Sequence, residues 1–146
     1  MSNINRVGSN TQGGFGSYRV ARVQVPLTAT GSAVAVLPIL SGGTAGNDQY
    51  VIRRITVGNP YNTAGGAVPN IALANVSVGQ TNDGANLVTS NTVISNVTGA
   101  ATYQDLTLAA GAATTAYTAN ALFVNVNTSV ANAGVWLSVY GDVQTF

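Results

Sequence analysis

Few residues in this chain could do chemistry. Charged side chains make up 6% of its 146 residues: five Arg, four Asp, and no His, Lys, Glu or Cys. General acid–base catalysis draws on His, on Lys, or on carboxylates with tuned pKa. Only Asp48, Asp83, Asp105 and Asp142 are available, and no two are close along the chain. A paired-carboxylate hydrolase needs two acids converging on one bond, and no motif around these four marks such a site. Nucleophilic triads lack a His or Lys base, and zinc sites lack His and Cys ligands. Asp48 and Asp83 stand in turn-rich stretches without the alternating acids of a calcium loop, and read as turn formers. The Asn-x-Ser/Thr triplets at Asn75, Asn96 and Asn127 arise by chance in a chain so rich in these residues. The expectation is a non-enzymatic protein with no cofactor and no metal.

That leaves the aromatic and arginine side chains, and the elements that aim them. In the last quarter of the chain Leu122, Val124 and Val126 alternate with Phe123, Asn125 and Asn127. After a small-residue loop, Val135, Leu137 and Val139 alternate with Trp136, Ser138 and Tyr140. A period of two over both runs predicts paired, half-buried strands. With the aliphatic residues facing the core, Phe123, Trp136 and Tyr140 face outward, where aromatic clusters mark partner surfaces. A bulge that turns Trp136 into the core is the equal alternative. Sugar stacking is a third use, to which Tyr61, Tyr103 and Tyr117 could add. Arg53 and Arg54 are neighbours in a predicted strand over 50–57, so a regular pleat sends them to opposite faces. Val51, Ile55 and Val57 would carry Arg53 inward. Burying a guanidinium is costly unless it is paired, so a bulge, a rim position or a nearby Asp is expected. Asp105 and Asp142, both in predicted strands, are the candidate partners for structural ion pairs with Arg53 and Arg54.

The remaining chain fits the same plan. Residues 1–17 are rich in Gly, Asn and Ser and read as a flexible N-terminal arm. Arg6 and Phe15 would be its anchors if it orders on a partner. Further strands are predicted over 18–26, 33–40, 71–78, 86–94 and 102–108. A loop spans 41–48, a long one spans 58–70 with Tyr61 near its start, and a helical turn suits the Ala/Thr-rich stretch 109–119. Eight strands without an amphipathic helix point to an all-β fold: an eight-stranded antiparallel jelly-roll-like β-sandwich forming one domain over 18–146. An immunoglobulin-like sandwich or another small barrel fits the spacing nearly as well.

Composition narrows the partners. A net charge of +1 gives little steering toward nucleic acid. No run approaches the ~20 apolar residues of a membrane helix, and the polar start has no secretory h-region. Neither nucleic acid nor membrane is expected as a partner, and synthesis in a cytoplasm is. Sheet edges are usually guarded by Lys, Pro or bulges. A chain without Lys is expected to hide its edges in a homo-oligomer or a larger particle. All five Arg precede residue 55, so 55–146 offers trypsin no site. That suits long exposure outside a cell, and a virion component released by lysis meets both conditions.

The segments Tyr50-Val-Ile-Arg-Arg-Ile-Thr-Val, Tyr103-Gln-Asp-Leu-Thr-Leu-Ala, Ala121-Leu-Phe-Val-Asn-Val and Val139-Tyr-Gly-Asp-Val resemble small β-rich structural proteins of tailed bacteriophages. The nearest resemblance is to jelly-roll capsid decoration (cement) proteins. It implies a homotrimer on the outer surface of the virion capsid, made in the host cytoplasm, which stabilises the shell by bridging subunits of the major capsid protein. It implies no catalytic residues. The alternatives are a tail-fibre or lectin-like receptor-binding β-domain, and a jelly-roll coat protein. Affinity built from many neutral contacts and multivalency would be only mildly sensitive to salt.

Overall fold

The computed structural model describes residues 18–36, 49–71, 73–95, 97–118 and 121–144. Among these residues are nine strands: β1 (Tyr18–Pro26), β2 (Gly31–Val36), β3 (Gln49–Asn62), β4 (Asn75–Gly79), β5 (Val88–Val93), β6 (Tyr103–Leu106), β7 (Ala116–Tyr117), β8 (Ala121–Thr128) and β9 (Ala133–Gln144). They form two antiparallel sheets, one ordered β1-β9-β3-β6 with β7 beside β3, the other β2-β8-β4-β5. The pairings nest: β4 with β5, β3 with β6, β2 with β8, and β1 with β9. One long hairpin rolled into two facing sheets has this order, and it is that of a jelly roll. Immunoglobulin-type sandwiches connect their strands differently. None of the described residues forms a helix long and apolar enough to cross a membrane.

The core lies between the sheets and is filled by the inward halves of the alternating runs. Val135, Leu137 and Val139 of β9 meet Leu122, Val124 and Val126 of β8, all buried. Val25 of β1, Ile52, Ile55 and Val57 of β3, and Val76 and Val78 of β4 complete the layer. Leu27, Ile71, Leu87, Ile94 and Val97 plug it from the connecting segments. Each such side chain contributes roughly 1.5–3 kcal/mol on leaving water. β9 is paired on both sides, with β1 and with β3, over most of its length.

Several expectations about the elements need correction. The described residues hold nine strands, because Ala116–Tyr117 pairs with Tyr50 and Val51 after a 3-10 turn at Ala112–Thr114. The predicted loop over 58–70 begins later, since β3 continues to Asn62. Pro60 cannot donate to a ladder, and the chain admits it through a register shift between Gly58 and Tyr61. The fourth strand starts at Asn75, the preceding residues being held in a turn by the Ala74 N–H donating to the Ile71 carbonyl. Leu108 leaves the sheet of β6 and bridges to Val88 in the opposite sheet, closing one flank of the sandwich. In β3 a second register shift, between Ile52 and Arg54, turns Ile52 into the core in place of Val51 and leaves both arginines exposed. The N-terminal arm over 1–17, and the part of the second predicted strand beyond Val36, lie outside the described residues.

Candidate functional site: an arginine–aromatic sheet face

The outward positions of the sheet β1-β9-β3-β6 collect most of the chain's unusual side chains. Arg22 of β1 stands opposite Ser138 of β9, and Gln24 opposite Trp136. On the other side of β9, Thr56 of β3 faces Ser138 and Gly58 faces Trp136. Thr56 and Gly58 in turn pair with Asp105 and Tyr103 of β6. Small residues therefore run through the middle of this face and large ones border it. The result is an open depression of about 310 Å³ lined by Arg19, Arg22, Arg54, Tyr103, Trp136 and Tyr140 around Thr56, Gly58 and Ser138. Gly58 keeps its floor low: a Cβ there would meet the Tyr103 Cβ at 2.8 Å and the Thr102 carbonyl at 2.9 Å.

Two cation–π contacts organise the depression. The Arg22 guanidinium lies over the Trp136 ring, 4.2 Å from its centroid, and that of Arg54 lies over Tyr140 at 4.6 Å. A guanidinium against a ring keeps its N–H donors directed sideways, so it is held in place while still able to bind. Arg54 Nε is also 3.4 Å from Asp105 Oδ1, the oxygen that accepts a 2.7 Å hydrogen bond from Thr56 Oγ1. Arg53 Nε donates to Asp142 Oδ2 at 2.7 Å, and its Nη1 donates to the Ala113 carbonyl at 2.8 Å. These pairs are about half exposed and so stabilise the fold by roughly 0–1 kcal/mol each. Among the described residues, Arg19 and Arg22 have no carboxylate within ion-pair distance. All four described arginines belong to this sheet, against two of its aspartates. The strands of the opposite sheet carry no charged residue.

The structure thus brings Trp136, Tyr140, Arg54 and Asp105 together, with Arg53 and Asp142 close along the same strands. The alternative in which Trp136 turns into the core does not hold: the ring faces outward and is half-buried. Phe123 also points outward, but from β8 in the other sheet, so the sandwich separates it from Trp136 and Tyr140. Tyr61 is not among the residues lining the depression; its ring covers Gly134 at the end of β9, and burial pushes its hydroxyl pKa up. Tyr117 is no sugar platform. It is buried with its ring centroid 5.9 Å from that of Tyr50, and its hydroxyl donates to the Ala112 carbonyl. Tyr103 is the open one, 67% exposed. Arg6 and Phe15 lie outside the described residues.

Sequence reasoning missed Arg22, whose signal was its place on the polar side of β1, and Arg19, which shares the parity of Ala21 and Val25 and is exposed because the register shifts between Arg19 and Ala21. It also missed Asn125, an outward residue of β8 that is nevertheless buried. Its Oδ1 accepts from the Asp83 N–H at 3.2 Å and its Nδ2 donates to the Gly84 carbonyl at 2.8 Å. The turn Asn82-Asp83-Gly84 is thereby strapped over the uncharged sheet, where it covers Asn125 beside its cross-strand neighbour Ser77.

No protein-family model matches the chain, and no curated protein does. Among solved structures the chain is similar to one in the cyanophage Pam1 capsid asymmetric unit, at 17% identity and a TM-score of 0.42, over 87% of this chain and 86% of that one.

Proposed function

We propose that the protein is a non-enzymatic structural component of a virion, a homotrimer that decorates a phage capsid and stabilises it by bridging subunits of the major capsid protein. The observation that carries this reading is a jelly roll of nested strands whose surface is nearly without charge. Jelly rolls serve repeatedly as viral capsid and lectin domains. A surface of short neutral side chains around open sheet borders suits burial against other subunits. Between the two uses, the ring contacts favour assembly. Guanidinium groups occupy a face of both Trp136 and Tyr140, and a sugar would have to displace them in order to stack there.

Purified particles carrying this protein test the reading. Mass spectrometry and electron microscopy are expected to find it in many copies spread over the shell, and native mass spectrometry to find a trimer after release. Confinement to a tail tip, together with binding on a glycan array, would replace the proposal with a receptor-binding role. A copy number accounting for the whole shell would make it the coat protein.

A further inference from the structure

We infer that the outer face of the sheet β1-β9-β3-β6 is a docking surface for a protein segment bearing carboxylates, gripped by Arg22 and Arg54. The inference rests on the proposed function only in taking the partner to be a protein. Charge complementarity carries it. Four arginines share this sheet with two aspartates, Arg53 is occupied by Asp142 and Ala113, and Arg54 is only loosely held by Asp105 at 3.4 Å. Arg22 has no acidic partner among the described residues and is already immobilised on Trp136. Planar guanidinium groups fixed in this way present paired N–H donors that match a carboxylate. Trp, Tyr and Arg clustered at the centre of a patch are also the residue types that dominate binding energy in protein interfaces.

Other anions fit less well. Single-stranded nucleic acid needs a groove of positive charge along the strand and free ring faces on which bases stack. Here three of the four described arginines sit in one small depression, the Arg contacts engage the Trp136 and Tyr140 rings, and Tyr103 is the one lining ring left open. An acidic sugar meets the same obstacle.

Trp136 is the sole Trp, so its fluorescence reports directly on the depression. The experiment titrates the full-length protein with a capped decapeptide rich in Asp and Glu. The controls are the same peptide with Asn and Gln in place of the acids, oligogalacturonate, and oligothymidylate. Saturable binding of the acidic peptide alone is expected. Arg22→Gln should weaken it about tenfold, one charge-assisted contact being lost, with the melting temperature lowered by no more than about 4 °C through the lost contact with Trp136. Asp105→Asn should strengthen it about threefold by releasing Arg54 from its competitor, a gain that unfolding cannot imitate. Equal binding of the neutral peptide, preference for the sugar or the DNA, or a weakening in Asp105→Asn would overturn the inference. So would a fluorescence change on raising the protein concentration alone, because a second copy would then cover the face. None of these results alters where the protein sits on a particle, which the particle measurements decide separately.

Discussion

Burial, and secondarily the neighbouring Tyr117, push the pKa of the Tyr50 hydroxyl up to about 12 from its ordinary value of 10.0. Between those values the unfolded chain has released a proton that the folded chain retains, so raising the pH favours unfolding. This contribution is fully present below pH 10 and is lost as the pH rises toward 12, amounting to roughly 2–3 kcal/mol. Urea midpoints are expected to be level to about pH 9 and to fall beyond pH 10, and Tyr50→Phe to flatten most of that fall. A retained slope in the variant would assign the effect elsewhere. Asn125 works through hydrogen bonds. Removing its amide in Asn125→Ala leaves the Asp83 N–H and Gly84 carbonyl short of a partner and costs about 1–3 kcal/mol. Hydrogen exchange should speed up locally at 81–85. The Arg53–Asp142 pair is half exposed, so Asp142→Asn is expected to cost less than about 1 kcal/mol. A larger loss on denaturation would mean the pair holds the turn around Ala113 in place.

Among the elements, β9 and β3 set the frame. β9 pairs with β1 on one side and β3 on the other, and its register to β3 shifts twice. Those shifts bend β3 enough to admit Pro60 and to turn Arg53 and Arg54 out to solvent together. Cavities in such a strand are expensive because its neighbours on both sides are fixed. Leu137→Ala, at a buried position of β9, is expected to cost about 2–5 kcal/mol. Leu73→Ala, 78% exposed ahead of β4, should change stability by no more than about 0.5 kcal/mol. Denaturant titration of the two variants checks the contrast. Gly79 ends β4 where the turn doubles back, and a Cβ there would collide with the Gly84 backbone. Gly79→Ala should therefore destabilise the strap and the strand end together, by about 1–3 kcal/mol.

At the scale of the whole molecule the two sheets differ in what they show to solvent. One offers guanidinium groups and aromatic rings; the strands of the other offer uncharged side chains, Phe123 and Val93 among them, beneath a strapped turn. Among the described residues the border strands are β1 and β6 for one sheet and β2 and β5 for the other, the Leu108–Val88 bridge joining the flank of β6 to that of β5. Some of these borders are modest, β6 being four residues long and β1 ending in Pro26. The others call for cover in a chain without Lys. A stable trimer by native mass spectrometry is the expected outcome, and a monodisperse monomer at high concentration would count against it. The expectation of mild salt dependence was drawn from the low overall charge. Placing all four described arginines on one sheet adds an ionic contribution there, which salt screens. Binding through that face is expected to weaken by about tenfold or less between low and high salt.

The strands and their inward faces were legible in the sequence because alternation is local: successive side chains point to opposite sides whatever the strand pairs with. Leu122, Val124 and Val126, and Val135, Leu137 and Val139, were assigned to the core on that basis and are buried there. Pairing and register are not local. Arg22 and Trp136 meet only because the first and last strands are neighbours, and Asn125 is buried only because a distant turn folds onto it. Bulges shift a register by one residue and thereby redirect side chains. In β3 that is what placed Ile52 inside and both arginines outside. The period of a strand follows from backbone geometry residue by residue, whereas its partners are chosen by the packing energy of the whole sandwich, and so the binding face emerges only in the tertiary structure.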